Sequence, residues 1–355
     1  HASRVLPGYD PNVKIRLLQS LKDDIDIILC IYAGDIESGR VRGDFGITYD
    51  TATFKLIDDL RHWGLDISAV VITRFKGQPS AKVFESKLKR RGVRVFIHGP
   101  IAGYPADIDT VCCDSGFGSN EYIDTQRQIV VVTAPGPNSG KLSTCLSQLY
   151  HDHRNGLDSG YAKFETFPIW NLPLKHPVNI AYEAATADIK DFNLVDPFHL
   201  STYGKTAVNY NRDVESFPIL KMILSRIIDQ GDKEHITYNS PTDMGVNRAG
   251  FGIIDDQAVR DAAKQELIRR YFRYNTEYLL GVESKDTVDR TRLLMESLNI
   301  RIEDRQVVSI ASKQAEEAEQ KGKGNEGIFC GAALELDDGL IATGKNSRLL
   351  HPASS

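Results

Sequence analysis

The chain has 355 residues, 41% hydrophobic and 26% charged, with a formal net charge of −5 and a pI near 6.0. This length leaves room for two or three domains of about 100–200 residues and matches an ordinary water-soluble globular composition. Mild acidity without a basic block argues against nucleic acid and anionic membrane surfaces as partners. The longest apolar run, Ile25–Ala33, is broken by Asp26 and is far shorter than the ~18 residues of a membrane helix.

In chain order, apolar runs predict strands at Ile25–Tyr32, Ala69–Thr73, Val93–Ile97, Thr110–Cys113, Ile129–Thr133 and Tyr161–Phe167. Amphipathic stretches lie between them. Thr51–Trp63 carries Phe54, Ile57, Leu60 and Trp63 at helical spacing and stops at Gly64. Ser80–Arg91 sets Val83, Phe84 and Leu88 on one face and stops at Gly92. Buried strands alternating with helices imply an α/β fold, a mainly parallel sheet with flanking helices in three layers. The five cysteines (Cys30, Cys112, Cys113, Cys145 and Cys330) are scattered and form no Cys-x-x-Cys pair. An odd, dispersed set argues against a disulfide framework or a cysteine zinc site, and places the protein in a reducing cytoplasm. Cys30, Cys112 and Cys113 read as small buried hydrophobes, and Cys145, one turn past Lys141, reads as core packing with a nucleophilic role as the alternative.

The most chemically suggestive segment is Gly136-Pro137-Asn138-Ser139-Gly140-Lys141, between the strand Ile129–Thr133 and a helix-like Leu142–Tyr150. Strand, small-residue turn, lysine and helix make the layout of a phosphate cradle. Backbone N–H groups and the helix N-terminus supply partial positive charge, and Lys141 adds a full one. The expected contacts are Gly136, Asn138, Ser139, Gly140 and Lys141, with Ser143 or Thr144 reaching Mg²⁺. The loop departs from the standard phosphate-loop spacing. Three residues rather than four separate Gly136 from Gly140, Leu142 stands at the hydroxyl position, and Pro137 lacks an N–H. It also follows the fifth predicted strand rather than the first. The competing reading is a tight structural turn with Lys141 solvated, and a site elsewhere, such as Gly43–Asp50.

Downstream, Phe164 to Asp213 is punctuated by prolines and dense in reactive side chains, the pattern of a binding surface or of a long self-satisfied excursion. Its candidates, with Lys163 at its edge, are Lys163, Glu165, His176, His199, Arg212 and Asp213. Glu165, Asp196 and Asp213 are the carboxylates expected as base or metal ligand, and no histidine spacing defines a metal site. His151-Asp152-His153 sits at a helix end facing water. Helices are predicted at Phe217–Ile228, Gln257–Tyr278 and Thr287–Asn299. The polar loop Ser240–Asn247 offers Asp243 as an N-cap. Lys313–Glu326 reads as a linker or solvated helix. Ala332–Leu336 and Leu340–Thr343 flank Asp337-Asp338-Gly339 as a hairpin. The regions divide into an N-terminal α/β part (1–125), a phosphate-loop-like α/β part (126–245), a helical part (246–312), a linker (313–327) and the start of a C-terminal α+β module (328–355).

The strings Val131-Val132-Thr133-Ala134-Pro135-Gly136-Pro137-Asn138-Ser139-Gly140-Lys141, Thr144–Tyr150, Tyr161–Pro177, Asp196–His199, Val208–Asp213 and Ser240–Asn247 carry a family resemblance, as do His1–Gly8 and Gly43–Asp50. The chain resembles the bacterial family named domain of unknown function 1846, or uncharacterised protein family 0371. The resemblance covers nearly the whole chain and implies further segments before His1 and after Ser355. The family more often has Gly at the Asn138 position, and Asn tolerates the left-handed geometry that such a turn needs. A narrower likeness, over one strand-helix-strand unit, is to the opening of dethiobiotin-synthetase-like ATP-dependent ligases. It implies that Lys163 faces the phosphates from the next strand. The expected ligand is ATP or another nucleotide with Mg²⁺, or a phosphorylated or acidic small molecule, in a ligase, transferase or hydrolase reaction. The alternative is a non-catalytic anion-binding sensor or assembly subunit; the oligomeric state is open, with uncapped apolar helices compatible with a homo-oligomer.

Overall fold

The computed structural model describes residues 2–42, 46–228, 238–336 and 338–355. Four parallel strands form the central sheet: β1 (Ile25–Tyr32), β2 (Ala69–Thr73), β3 (Val95–Ile97) and β4 (Ile129–Thr133), in the order β3-β2-β1-β4. Ile28 of β1 is in register with Ala69 on one side and Val132 on the other. Apolar β-branched residues suit a strand buried on both faces. One face presents Ile27, Leu29, Ile31, Val70 and Ile72 to helices α1 (Tyr49–His62) and α2 (Pro79–Arg90) through Ile57, Leu60, Phe84 and Leu88. The other presents Ile28, Cys30, Ala69 and Val71. There helix α3 (Lys141–Arg154) meets β1, its Thr144 accepting from the Cys30 thiol at 3.4 Å. The expected three-layer α/β arrangement is therefore present. All five cysteines are free thiols.

Two predicted strands differ. Thr110–Cys113 is not a strand: Ile108–Val111 is a short helix. Asp107 caps it, accepting from the Thr110 N–H at 3.1 Å and the Thr110 hydroxyl at 2.6 Å. Of Tyr161–Phe167 only Lys163–Phe164 is extended, paired in parallel with Gly245–Val246 outside the main sheet. The Gly136–Lys141 loop thus follows the fourth strand of its sheet.

The polar stretch after Phe164 is more regular than expected. It holds a helix at Pro177–Ala185, a two-stranded pairing of Asn193–Val195 with Val208–Tyr210, and a helix at Pro197–Tyr203. Asp196, fully buried, caps Pro197–Tyr203 through the Phe198 and His199 N–H groups, both at 3.0 Å. Its second oxygen accepts from the Thr242 hydroxyl at 2.6 Å, which ties down Ser240–Asn247. Asp243, expected as a helix N-cap, caps none; it accepts from the Tyr203 hydroxyl at 2.9 Å and the Asn239 N–H at 3.1 Å.

Helix α4 (Asn211–Ile227) lays Phe217, Leu220, Ile223 and Leu224 against Leu146, Leu149 and Tyr150 of α3. Helices α5 (Asp256–Leu279) and α6 (Lys285–Ser297) are capped by Asp255 and Ser284. Lys313–Glu326 begins inside helix α7 (Gln306–Gln320), whose Ala318 is fully buried. Gly331 of the hairpin Gly331–Glu335/Ile341–Lys345 touches α7 so closely that a Cβ would lie 2.0 Å from the Ala311 carbonyl. Asp337 in the hairpin turn and Gly43-Asp44-Phe45 lie outside the described residues. Among the described residues no helix is long and apolar enough to cross a membrane.

Phe84 is 1% exposed and packs edge-on to Phe54 at 5.1 Å between centroids. Phe84→Ala is expected to cost about 3–5 kcal/mol in urea unfolding; a loss below about 1 kcal/mol contradicts this packing. His98, at the carboxyl end of β3, is 3% exposed, with Nε2 on the Glu121 carbonyl at 3.0 Å and Nδ1 unpartnered. Burial pulls its pKa down to about 4. The unfolded imidazole takes up its proton near pH 6.5, so His98 stabilises the fold fully above that pH. That contribution, about 3 kcal/mol, is lost as pH falls from 6.5 towards 4. Urea midpoints of wild type and His98→Gln across this window should converge as pH falls; parallel curves refute the assignment.

Candidate functional site

From β1 to β3 the chain steps outward in one direction, then crosses back to lay β4 on the other side of β1. The carboxyl ends of β1 and β4 therefore flank a topological switch point, where open α/β sheets place their ligands. The Gly136–Lys141 loop leaves β4 at this point and opens α3.

The loop conformation follows from its residues. Asn138 and Gly140 take left-handed φ values of 54° and 90°. A Cβ on Gly140 would sit 2.7–2.8 Å from the Thr73 side chain, and one on Gly136 would sit 2.3 Å from the Tyr49 ring. The Ser139 carbonyl accepts from the Thr73 hydroxyl at 2.7 Å, and the Asn138 carbonyl accepts from the Arg74 guanidinium. In a trans peptide the N–H points opposite to the preceding carbonyl. Fixing those two carbonyls on β2 aims the Ser139 and Gly140 N–H groups away from it. Helix α3 has no side-chain N-cap, and its Thr144 N–H bonds Gly140 O at 2.9 Å. The preceding N–H groups, of Lys141, Leu142 and Ser143, are the free donors of the helix terminus. Lys141 Nζ folds back on the Gly136 carbonyl at 3.1 Å. Thr144 is fully buried on Cys30, whereas Ser143, in the first turn of α3, is half-buried. Burial pushes the Cys145 thiol up to about 12, so it is protonated at neutral pH.

Beside the loop lies an ion-pair network. Lys163 Nζ contacts Glu165 Oε1 at 3.0 Å, the Tyr210 hydroxyl at 3.0 Å and Asp213 Oδ2. The Tyr210 hydroxyl donates to Glu165 Oε1 at 2.8 Å. Arg212 pairs with buried Asp191 at 2.6 Å. Burial works against the charge on Lys163, but the Glu165 and Asp213 carboxylates override it and hold the amine above its ordinary value. Burial lowers the pKa of Lys141, and the nearby Arg212 and Lys163 charges add their repulsion. The structure therefore brings Lys141, Lys163, Glu165, Arg212 and Asp213 into one electrostatic neighbourhood.

The two histidines sit elsewhere. His176, 2% exposed, caps Pro177–Ala185 through Nδ1 and meets Asp256 through Nε2 at 2.9 Å. His199 Nδ1 meets the Ser240 hydroxyl at 3.1 Å and its ring lies 4.8 Å from Tyr203. Tyr210 and Asp191 were not singled out by the sequence. A tyrosine in an apolar strand reads as core, and nothing local marks Asp191 as the partner of Arg212. Among the described residues no three His, Cys, Asp or Glu side chains are grouped to hold a metal ion.

Lys163→Met leaves Glu165 and Asp213 without their shared cation and is expected to cost about 3 kcal/mol at pH 7 in urea unfolding. Because the folded-state amine is held above its usual value, this contribution persists up to pH ~10.5 and falls only above it. A variant as stable as wild type at pH 7 refutes the network. Gly140→Ala should unfold more easily than wild type through both its left-handed backbone and the Thr73 contact; unchanged stability contradicts the loop geometry.

The sequence matches the family model described as "Domain of unknown function DUF1846, N-terminal" over residues 1–299. It is 56% identical over 351 residues to a UPF0371 protein of Clostridium botulinum (strain ATCC 19397 / Type A), an alignment covering 99% of this chain and 69% of that protein. UPF0371 proteins of Clostridium tetani and Clostridioides difficile align over the same shares of each chain, at 55% over 350 and 56% over 351 residues. With the model matching well over half its length and such relatives across nearly all of it, the chain belongs to the DUF1846 (UPF0371) family.

Proposed function

We propose that the chain binds a nucleotide, or another phosphorylated small molecule, in the Gly136–Lys141 loop, and acts as an ATP-dependent ligase- or transferase-like enzyme. The observation that carries this reading is the direction of the loop peptides. With the Asn138 and Ser139 carbonyls held by Arg74 and Thr73, the Ser139 and Gly140 N–H groups join the free donors at the start of α3. Lys141 is the mobile charge of the site: an incoming phosphate competes with the Gly136 carbonyl for its amine. Ser143 is the hydroxyl that would meet Mg²⁺. Lys163 and Arg212 set the electrostatic background, and Glu165 and Asp213 are the carboxylates beside the transferred group.

A second reading, an anion-binding protein without turnover, is favoured by one observation. Lys163 is already matched by Glu165 and Asp213, so it has little charge to lend to a transition state.

The test is a thermal shift on titrating ATP with Mg²⁺ into wild type and Lys141→Ala, alongside an assay of phosphate release. A ligand specific to the folded state raises the wild-type midpoint, by about 2.7 kcal/mol of stability at 100 times Kd. Lys141→Ala should lose most of that rise. Equal responses from the two proteins refute the cradle, and phosphate release by wild type that Lys141→Ala lacks counts against the second reading.

A further inference from the structure

A cavity of about 540 Å³ lies between the N-terminal segment, the residues after Lys163 and the start of α5. A second, of about 490 Å³, adjoins it and shares Tyr9, Lys14, Phe164, Glu165 and Thr166. No residue of the Gly136–Lys141 loop lines either one. The larger cavity has an apolar wall of Leu6, Val13, Leu17, Phe164, Ile253 and Val259.

Its charges are unevenly matched. Of the three carboxylates on its lining, two are ion-paired and the third accepts a backbone N–H. Asp10 pairs with Arg16 at 3.1 Å, Asp255 accepts the Ala258 N–H at 3.0 Å, and Glu165 is held by Lys163 and Tyr210. The two cations, Lys14 and Arg248, have no carboxylate within ion-pair distance among the described residues. Lys14 lies 5.1 Å from the Phe164 ring centroid and Arg248 lies 5.4 Å from that of Phe251. Glu165 attracts Lys14 at longer range without pairing to it. An apolar wall with two cations that make no ion pair among the described residues is complementary to one class of small molecule. Apolar surface gains by burial, and an ammonium or guanidinium binds carboxylate with charge-assisted hydrogen bonds.

We propose that this cavity binds a small carboxylic acid with an apolar body, its carboxylate held by Lys14 and Arg248 and its body against Val13, Leu17, Phe164 and Ile253. The site stands apart from the nucleotide reading, because it uses none of the loop residues. Glu165 is common to both places, so an occupant would lie one carboxylate away from Lys163.

Calorimetric titration with 4-phenylbutyrate, 4-phenylbutanol and 4-phenylbutylamine tests it. The acid should bind wild type, with the alcohol and the amine roughly tenfold weaker or more, a difference of about 1.4 kcal/mol. Lys14→Met and Arg248→Met should each weaken the acid by about the same factor, while ATP binding is untouched. Ala258→Phe, which fills the cavity from α5 without touching either cation, should abolish binding of the acid. Equal binding of acid and alcohol, a preference for the amine, or no heat with any probe at millimolar concentration overturns the proposal. So does acid affinity that is unchanged in both cation variants. Should Ala258→Phe fail to fold, the two cation variants, both at exposed positions, still decide the matter.

Discussion

The hydroxyl of Thr73, 2.7 Å from the Ser139 carbonyl, is the contact on which the site depends. It couples the carboxyl end of an inner strand to the loop that follows the outer one. It is made possible by Gly140, since any Cβ there would collide with Thr73 itself. Once Thr73 takes the Ser139 carbonyl and Arg74 takes that of Asn138, peptide planarity dictates where the next two N–H groups point. The cradle is thus a consequence of sheet order. With β2 and β4 on opposite sides of β1, Thr73 at the end of β2 and Arg74 after it reach past β1 to the loop after β4.

Charge balance limits what the cradle can do. Lys141, Lys163 and Arg212 are three cations, and Glu165, Asp213 and Asp191 are three carboxylates set among them. A neutral network contributes little long-range attraction for an anion. Affinity must then come from short-range donors: the loop and helix N–H groups and the amine of Lys141, which among the described residues is held by the Gly136 carbonyl. This assigns different work to the two lysines. Lys141 is free to exchange partners, whereas Lys163 organises Tyr210, Glu165 and Asp213 and stabilises the fold around them.

Much of this was legible in the sequence, for reasons that can be traced. The apolar runs Ile25–Tyr32, Ala69–Thr73 and Ile129–Thr133 are strands with those very bounds, because short runs so rich in Ile and Val favour extended chain. Thr110–Cys113 misled because a short apolar run fits either element, although Asp107 and Thr110 carried a cap signal. Tyr161–Phe167 was overextended because its pairing partner, Gly245–Val246, is remote in the chain. In Lys313–Glu326 the buried position is an alanine, which adds almost nothing to a hydrophobic pattern. At the site, the loop itself was visible as a motif, and Lys163, Glu165, Arg212 and Asp213 were visible as reactive types in a polar stretch. What brings them together is tertiary: Tyr210 in a strand and Asp191 on the facing turn, neither with a local signature. His176 and His199 show the reverse case, reactive residue types spent on a helix cap and a turn.

The central claim is that the Ser139 and Gly140 N–H groups face a bound phosphate. The most direct measurement is the movement of their backbone amide resonances as a non-hydrolysable ATP analogue and Mg²⁺ are titrated into isotopically labelled protein. Saturable shifts at Ser139, Gly140 and Lys141, greatly diminished in Lys141→Ala, are the predicted result. Saturable binding that leaves those three amides unmoved, or no binding at all, would contradict it.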